Sequence, residues 1–332
     1  MKRFIFSTLL LIIVSIAYSQ IKFKKTIGTQ YDDFPTNIIA ADDKYMIGFS
    51  SNPNNNNTIF ANIYVFSDSG DILDEMSINK PDTNVRIHHI LKSYASSSYL
   101  GFGELRTNDE VMLWIFSFND NLNVISETKY EYDSTSSIFR IYVEKYNFKY
   151  YIACDRNTEN FIPKTELLCF NPENDSLSSS SWEMTAGNLG DLEKNLHNEN
   201  FLLGGDMLER NWSRVWELTP TFELLNEFDS IEPDIFHMID LEWRNENELL
   251  YAGGYQDDTC ECRKMGIQVL DTSMQLKHFN SFGDNTVMRN YVGILNSIAI
   301  NNENNIYFGG TYKVVYSLFP TIENQLAIHK LD

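Results

Sequence analysis

The stretch Glu246-Asn247-Glu248-Leu249-Leu250-Tyr251-Ala252-Gly253-Gly254 decides the fold. A polar turn leads into a short apolar run, which ends on a pair of small residues. The same ending recurs at Ile47-Gly48, Leu100-Gly101, Ile152-Ala153, Leu203-Gly204, Ala252-Gly253 and Phe308-Gly309, and the steps between the small residues are 53, 52, 51, 49 and 56. Self-similarity at a fixed period marks a repeat architecture.

A second column runs in phase with the first. Alternating apolar runs end on Phe66, Phe118, Phe170, Leu218, Leu270 and Leu331, at steps of 52, 52, 48, 52 and 61. Most of these ends meet a polar turn such as Asp68-Ser69-Gly70-Asp71, Asn119-Asp120-Asn121 or Asp271-Thr272. Gly, Asn and Asp tolerate the positive φ that tight hairpin turns need. A further strand is expected after each turn, as at Ile72-Leu73, Val124-Ile125, Phe222 to Leu225 and Met274 to Phe279. A first strand precedes each small pair, as at Ile38-Ile39, Ile87 to Ile90, Ile141 to Val143 and Ser297 to Ile300. Four strands per unit of this length is the signature of a propeller blade. The reading is all-β: a six-bladed β-propeller of four-stranded blades. No segment carries a convincing helical stripe, and Asp191 to Asn198 is read as a turn between blades. Glycine on the second strand fits close packing of one blade on the next.

The two ends of the chain complete this pattern. The sixth unit stops at Leu331-Asp332 without a fourth strand, and Ile21-Lys22-Phe23-Lys24-Lys25-Thr26-Ile27-Gly28 offers a spare one. The ring is expected to close by the N-terminal strand joining the last blade. Before that strand lies an export signal: basic Lys2 and Arg3, a largely apolar run from Phe4 to Ala17, and small residues in Ala17-Tyr18-Ser19. The expected domains are a signal peptide over residues 1–19, cleaved before Gln20, and a single propeller over residues 20–332. Closure of the ring is then expected to follow cleavage.

Three units carry a longer phrase. Asn301-Asn302-Glu303-Asn304-Asn305-Ile306-Tyr307-Phe308-Gly309-Gly310-Thr311 resembles the SBBP-type propeller repeat of secreted bacterial proteins. Asn198-Glu199-Asn200-Phe201-Leu202-Leu203-Gly204-Gly205 and the opening stretch are similar to it. The resemblance implies architecture and export, to the periplasm, the cell surface or the medium of a Gram-negative bacterium. It brings no catalytic residues with it. Relatives of that type often carry a C-terminal type IX sorting domain, and none is expected here because the sequence stops inside a unit.

The chain has 46 acidic and 26 basic residues, a net charge of −20. Removing Lys2 and Arg3 takes it to −22. Such a surface repels nucleic acid and anionic lipid and suits cations or basic partners. Acidity also keeps an exported protein soluble. The expectation is a monomer with a protein or carbohydrate ligand, no nucleic acid and no membrane span. Cys154 and Cys169 fall on neighbouring strands, and Cys260-Glu261-Cys262 forms a loop; four cysteines allow three pairings, and their disulfide state stays open. Cys260 and Cys262 lack the further ligands that a zinc site wants.

No nucleophile elbow, phosphate loop, dinucleotide fingerprint or zinc-protease helix is present. Phe66-Ser67-Asp68-Ser69-Gly70 approaches a sialidase Asp-box but reads as an ordinary turn. His88-His89 should point to opposite faces of a strand, and His197, His237, His278 and His329 are scattered. Asp240 and Glu242 share one strand face, as do Asp191 and Glu193 if that segment is extended. Such acids around a central channel could hold calcium or share a proton. Trp212, Arg214 and Trp216 alternate, with Trp243-Arg244 less regular, and packing between blades explains them better than a binding face. No residue is assigned a catalytic, cofactor or metal role. The leading function is an exported non-catalytic binding or scaffold module. The alternative is an extracellular hydrolase or lyase with acids at the channel mouth, calcium-dependent if those acids hold the ion.

Overall fold

A computed structural model describes residues 23–27, 32–41, 44–52, 58–67, 69–94, 97–132, 137–157, 163–179, 186–207, 210–228, 235–257, 262–282, 294–300, 306–316 and 321–331. The expected signal peptide lies outside these residues. The described elements are strands. After β1 (Phe23–Ile27), the first blade holds β2 (Asp32–Ala41), β3 (Lys44–Asn52), β4 (Phe60–Ser67) and β5 (Ile72–Ile78). The second holds β6 (Asn84–Lys92), β7 (Ser98–Arg106), β8 (Val111–Asn119) and β9 (Val124–Tyr132). The third holds β10 (Ser137–Tyr146), β11 (Lys149–Asn157), β12 (Pro163–Asn171) and β13 (Ser176–Ser179). The fourth holds β14 (Ala186–Lys194), β15 (Phe201–Met207), β16 (Arg210–Leu218) and β17 (Leu224–Phe228). The fifth holds β18 (Ile235–Asn245), β19 (Glu248–Asp257), β20 (Cys262–Leu270) and β21 (Leu276–Phe282). The last strands are β22 (Ile294–Ile300), β23 (Ile306–Tyr316) and β24 (Thr321–Leu331).

The fold is an all-β propeller of antiparallel four-stranded blades, and the expected count of six is corrected. Five blades are built from four consecutive strands: β2 to β5, β6 to β9, β10 to β13, β14 to β17 and β18 to β21. Among the described residues, three strands follow β21. They form a composite sheet of order β1-β24-β23-β22, in which β1 pairs with β24 from Phe23↔Lys330 to Ile27↔Leu326. The innermost strands β2, β6, β10, β14, β18 and β22 touch one another in that cyclic order, with β22 returning to β2.

The core lies between neighbouring blades. Leu91, Leu100 and Phe102 of the second blade pack on Ile141, Tyr150 and Ile152 of the third. Ile298 and Ile306 pack on Leu250 and Ile267, and Ala299 packs on Ile38 and Tyr45. Fourth strands are the exposed rim, with Leu73 and Ile125 each more than half exposed. Burying apolar side chains on both faces of each second and third strand supplies the main driving force, at roughly 25 cal/mol per Å² removed from water.

Two of the small residues sit tight for different reasons. A Cβ on Gly48 would lie 3.3 Å from Ile87 of the next blade and 2.7 Å from Thr36 Oγ1. One on Gly101 would strike the Phe116 ring of its own blade. The small-residue column therefore serves packing within a blade as well as between blades.

The hairpin turns depart from expectation. Gly70 and Asp175 do take positive φ, at 85° and 53°. Leu122, Phe222 and Met274 also do, at 56°, 64° and 61°, and all three are buried. In each of those turns a polar residue, Asn119, Thr219 or Asp271, accepts two backbone N–H groups through its side-chain oxygen. The fixed turn aims the apolar side chain under the blade, and its burial offsets the left-handed backbone. After Phe222 and Met274 the fourth strands accordingly begin at Leu224 and Leu276, two residues later than expected.

Candidate functional site

The central channel is lined by the inner strands. Each of these strands has only one sheet neighbour, so half of its backbone groups face away from any ladder. Each also breaks register at least once, as at Ile87/His89, Ile138/Arg140, Leu189/Asp191 and Met238/Asp240. Buried N–H groups left this way need partners. Side chains of the preceding blade provide them. Asn37 Nδ2 donates to the Ile90 carbonyl at 2.6 Å, and Ile90 N–H donates back to Asn37 Oδ1 at 2.7 Å. Ser50 accepts Ile87 N–H, Glu104 accepts Ile138 N–H, and Asp155 accepts Leu189 N–H at 3.2, 2.8 and 3.2 Å. Asp191 accepts Leu241 N–H at 3.0 Å, and Asp240 accepts Ile298 N–H. These are latches between successive blades.

The segment read as a turn, Asp191 to Lys194, is thus the channel-lining end of β14, because its alternation places Leu189 and Leu192 in the core. That brings Asp191, Glu193, Asp240 and Glu242 together as foreseen. They are joined by Glu144, a residue the sequence reading missed although it stands 49 residues before Glu193, which stands 49 before Glu242. The cavity they line measures about 150 Å³. Its other wall is apolar, with Ile39 and Leu91.

Burial governs the charge here. It pushes Glu144 up to about 7, against the Lys145 N–H, and Glu242 up to about 8, with Asp191 and Glu144 adding repulsion. Burial and then Glu144 and Glu242 hold Glu193 well above the carboxylate range. Asp240 is held well above the carboxylate range by burial and then by its neighbour Asp191, whose own carboxyl burial also raises. Lys145 and Lys194 stand nearby but turn their ammonium groups to backbone carbonyls, Lys145 to Lys92 and Lys194 to Asn195 and Asn198. Among the described residues, no three of His, Cys, Asp or Glu converge on a position that would hold a metal ion.

His88 and His89 are both driven down to about 3 by burial, His88 also by Arg86 and Arg140, so both rings are neutral. His89 lines the channel and stands edge-on to Tyr142. Its Nδ1 and His88 Nε2 have no hydrogen-bond partner among the described residues. His197 stacks edge-on with Trp243, and His278 is exposed. The side chains of His237 and His329 lie outside the described residues.

The tryptophans read as packing are packed. Trp216 is buried and donates to Glu227 at 3.1 Å, where Arg214 also binds. Trp243 donates to the Lys194 carbonyl at 2.9 Å. The Trp212 side chain lies outside the described residues. Cys154 is buried and Cys169 half-buried; across the β11–β12 ladder Cys154 faces Glu166, while Cys169 faces Tyr151. Cys260 and the Cys262 side chain lie outside the described residues. Ser67 to Gly70 forms a turn closed by Gly70 N–H on the Ser67 carbonyl.

A second concavity was not foreseen. A cleft of about 570 Å³ lies between the second and third blades. Tyr94 and Phe148 stand at its edge, 39% and 65% exposed, with ring centres 5.2 Å apart. Ser93, Ser117, Ser126, Thr128, Glu173 and Asp175 supply its polar lining. Phe148 sits with Asn147 in the two-residue turn between β10 and β11, at φ 60° and 49°. Both central positions of such a turn need positive φ, which suits Asn followed by Gly. The available signal was Phe in the place where that turn wants glycine.

No family model matches the chain, and no curated protein does. Solved structures similar to it include Kuenenia stuttgartiensis hydrazine synthase, at 10% identity and TM-score 0.48, covering 86% of this chain and 78% of that one. Synechocystis apocarotenoid oxygenase, as the Trp149Ala mutant, is 9% identical with TM-score 0.45, covering 75% of this chain and 61% of that one. Pyrococcus horikoshii acylaminoacyl peptidase is 8% identical with TM-score 0.43; this chain spans half the length of that one and is covered over 89% of its own. At such identities and scores, none of their activities bears on this site.

Proposed function

We propose that this chain is an exported, non-catalytic β-propeller that acts as a binding module for a protein or glycan ligand. The observation that carries the reading is Phe148: a bulky, exposed aromatic held in a left-handed turn beside a 570 Å³ cleft. An unfavourable backbone state at an exposed position points to a role outside folding. Tyr94 and Phe148 offer flat apolar faces, and the serine, threonine and carboxylate groups beside them offer hydrogen bonds. That combination fits a sugar ring or a peptide side chain.

The channel acids favour a different role. Asp191 and Asp240 are occupied as latches, and about 150 Å³ is small beside the roughly 300–1,000 Å³ of ordinary ligand pockets. A polymer-cleaving site there is correspondingly disfavoured. Export rests on the basic and apolar N-terminus, which would place the module outside the cytoplasm. No helix among the described residues is long and apolar enough to cross a membrane.

The test is a glycan array together with an immobilised peptide library, probed with the residue 20–332 chain and its Tyr94→Ala variant. Hits that weaken at least tenfold in the variant support the reading. An absence of hits on both surfaces, or hits indifferent to Tyr94→Ala, would overturn it.

A further inference from the structure

The cleft beside Phe148 has an apolar floor of Leu100, Ile115, Tyr150 and Phe170, on β7, β8, β11 and β12. Each of those strands pairs with a neighbour on both sides, so its backbone groups are taken up in ladders. The floor therefore meets a ligand through side chains. The polar side chains around it are hydroxyls and carboxylates. Ser117 and Ser126 share one hydrogen bond at 2.6 Å, which leaves the pair one O–H to give and several lone pairs to receive. Thr128 spends its O–H on Asp175 Oδ1 at 3.1 Å and keeps its lone pairs. Glu173 gives its N–H to Asn171 Oδ1 at 3.0 Å, and its exposed carboxylate has no hydrogen bond or ion pair among the described residues. The described lining contains no Lys, Arg or His. The Lys145 ammonium lies 5.7 Å from the centre of the Tyr94 ring but donates to the Lys92 carbonyl.

We propose that the cleft binds an uncharged oligosaccharide, with a sugar ring laid on Phe148 and its hydroxyls on Ser126, Thr128 and Glu173, a choice of ligand class that rests on the cleft being the binding site. The lining accepts more hydrogen bonds than it gives. A sugar presents many O–H groups, each a donor as well as an acceptor, and each turns to suit its partner. An extended peptide presents its main chain instead. Laid on this floor, that chain would find its partners already engaged and would lose its water without return. Charge excludes a second group of ligands. Glu173 and Asp175 in the lining, within a chain of net charge −20, repel uronic, sulfated and phosphorylated glycans. Shape agrees with a ring: Phe148 is 65% exposed and offers a flat face to the C–H side of a pyranose. The volume of about 570 Å³ lies within the roughly 300–1,000 Å³ of small-molecule sites and leaves room beyond a single ring.

The experiment is biolayer interferometry of the residue 20–332 chain on immobilised cellohexaose, mannohexaose and xylohexaose, with hexagalacturonate and a mixed-sequence peptide library alongside. The expected result is saturable binding to at least one neutral hexaose, tighter than to hexagalacturonate or any peptide. That binding should weaken at least tenfold in Tyr94→Ala and at least fivefold in Glu173→Gln, which removes a charged acceptor. Glu173 stands on an exposed turn, and a melting curve checks that Glu173→Gln folds. Tyr94-dependent binding to hexagalacturonate or to peptides, as tight as to any neutral hexaose, would overturn the choice of ligand class and leave the cleft standing as the binding site. A neutral hexaose bound equally by the wild type and Tyr94→Ala would overturn both. Binding indifferent to Glu173→Gln, or no saturable binding to any of the neutral sugars, would overturn the choice of ligand class too.

Discussion

Asn37 on β2 and Ile90 on β6 belong to different blades, yet the Asn37 side-chain amide pairs with both backbone groups of Ile90, at 2.6 and 2.7 Å. The amide stands in for the next strand of a sheet. It does between blades what ladder bonds do within them, and it does so at a buried position. Replacing Asn37 by Ala leaves a buried N–H and a buried carbonyl without partners, at about 1–3 kcal/mol each. Urea denaturation should show Asn37→Ala less stable by about 3 kcal/mol with an unchanged m-value. A loss below about 0.5 kcal/mol would mean that the latch contributes little.

The channel acids give stability an unusual pH dependence. Glu144 and Glu242 have folded-state values near 7 and 8, against an ordinary value of 4.5. Between pH 4.5 and 8 the folded chain therefore holds more protons than the unfolded one. Stability falls as pH rises through that window, by up to about 1.4 kcal/mol per pH unit for each proton. The melting temperature should decline from pH 5 to pH 8 in the wild type and decline less in Glu144→Gln/Glu242→Gln. A wild-type profile that is flat or rises would refute the assignment.

Glu217 acts in the opposite direction. Burial alone would raise its value, but the side-chain amides of Asn200, Asn226, Asn198 and Asn195 outweigh burial and lower it. Their distances run from 2.6 to 3.4 Å. Its contribution is present above pH 4.5 and is lost as pH falls through the lowered folded value. Glu217→Ala should cost about 2 kcal/mol at pH 7 and much less near pH 3, read by denaturant midpoints at both. An equal cost at both pH values would show that the ion is not what the asparagines hold.

Gly103 should tolerate substitution worst of the glycines on β7. A Cβ there would run into the Arg86 backbone carbonyl, which cannot rotate away as a side chain can. Gly101→Ala meets the Phe116 ring, which is itself stacked on Trp114 at 4.0 Å. Overpacking of this kind costs typically about 1–3 kcal/mol, and more against backbone. Melting temperatures should fall in the order wild type, Gly101→Ala, Gly103→Ala. The reverse order for the two variants would show that the backbone there yields more readily than the aromatic stack.

Periodicity made much of this architecture legible. The small-residue and large-residue columns sit on the second and third strands of successive blades, because both columns are core positions and core chemistry repeats. The turns were less readable. Leu122, Phe222 and Met274 look like strand residues, and only their burial beneath the blade explains their left-handed backbone. In the channel, Asp240 and Glu242 were visible from alternation, and Asp191 and Glu193 once their segment is extended. Glu144 was hidden by a local context with no second acid two residues before it: Tyr142 stands where Asp191 and Asp240 stand in the next units. The latches were invisible, since a side chain that accepts one backbone N–H in the next blade leaves no pattern along its own strand. The cleft was missed for the same reason: Tyr94 and Phe148 are 54 residues apart and meet only across two blades.

Phe148→Gly tests the central claim most directly, because it separates folding from binding. Glycine suits positive φ at the second position of the β10–β11 turn, so the melting temperature should stay the same or rise. Affinity for whatever glycan or peptide the wild type selects on the arrays should fall at least tenfold. A variant that binds as tightly as the wild type, whatever its melting temperature, would contradict the assignment of the cleft as the binding site.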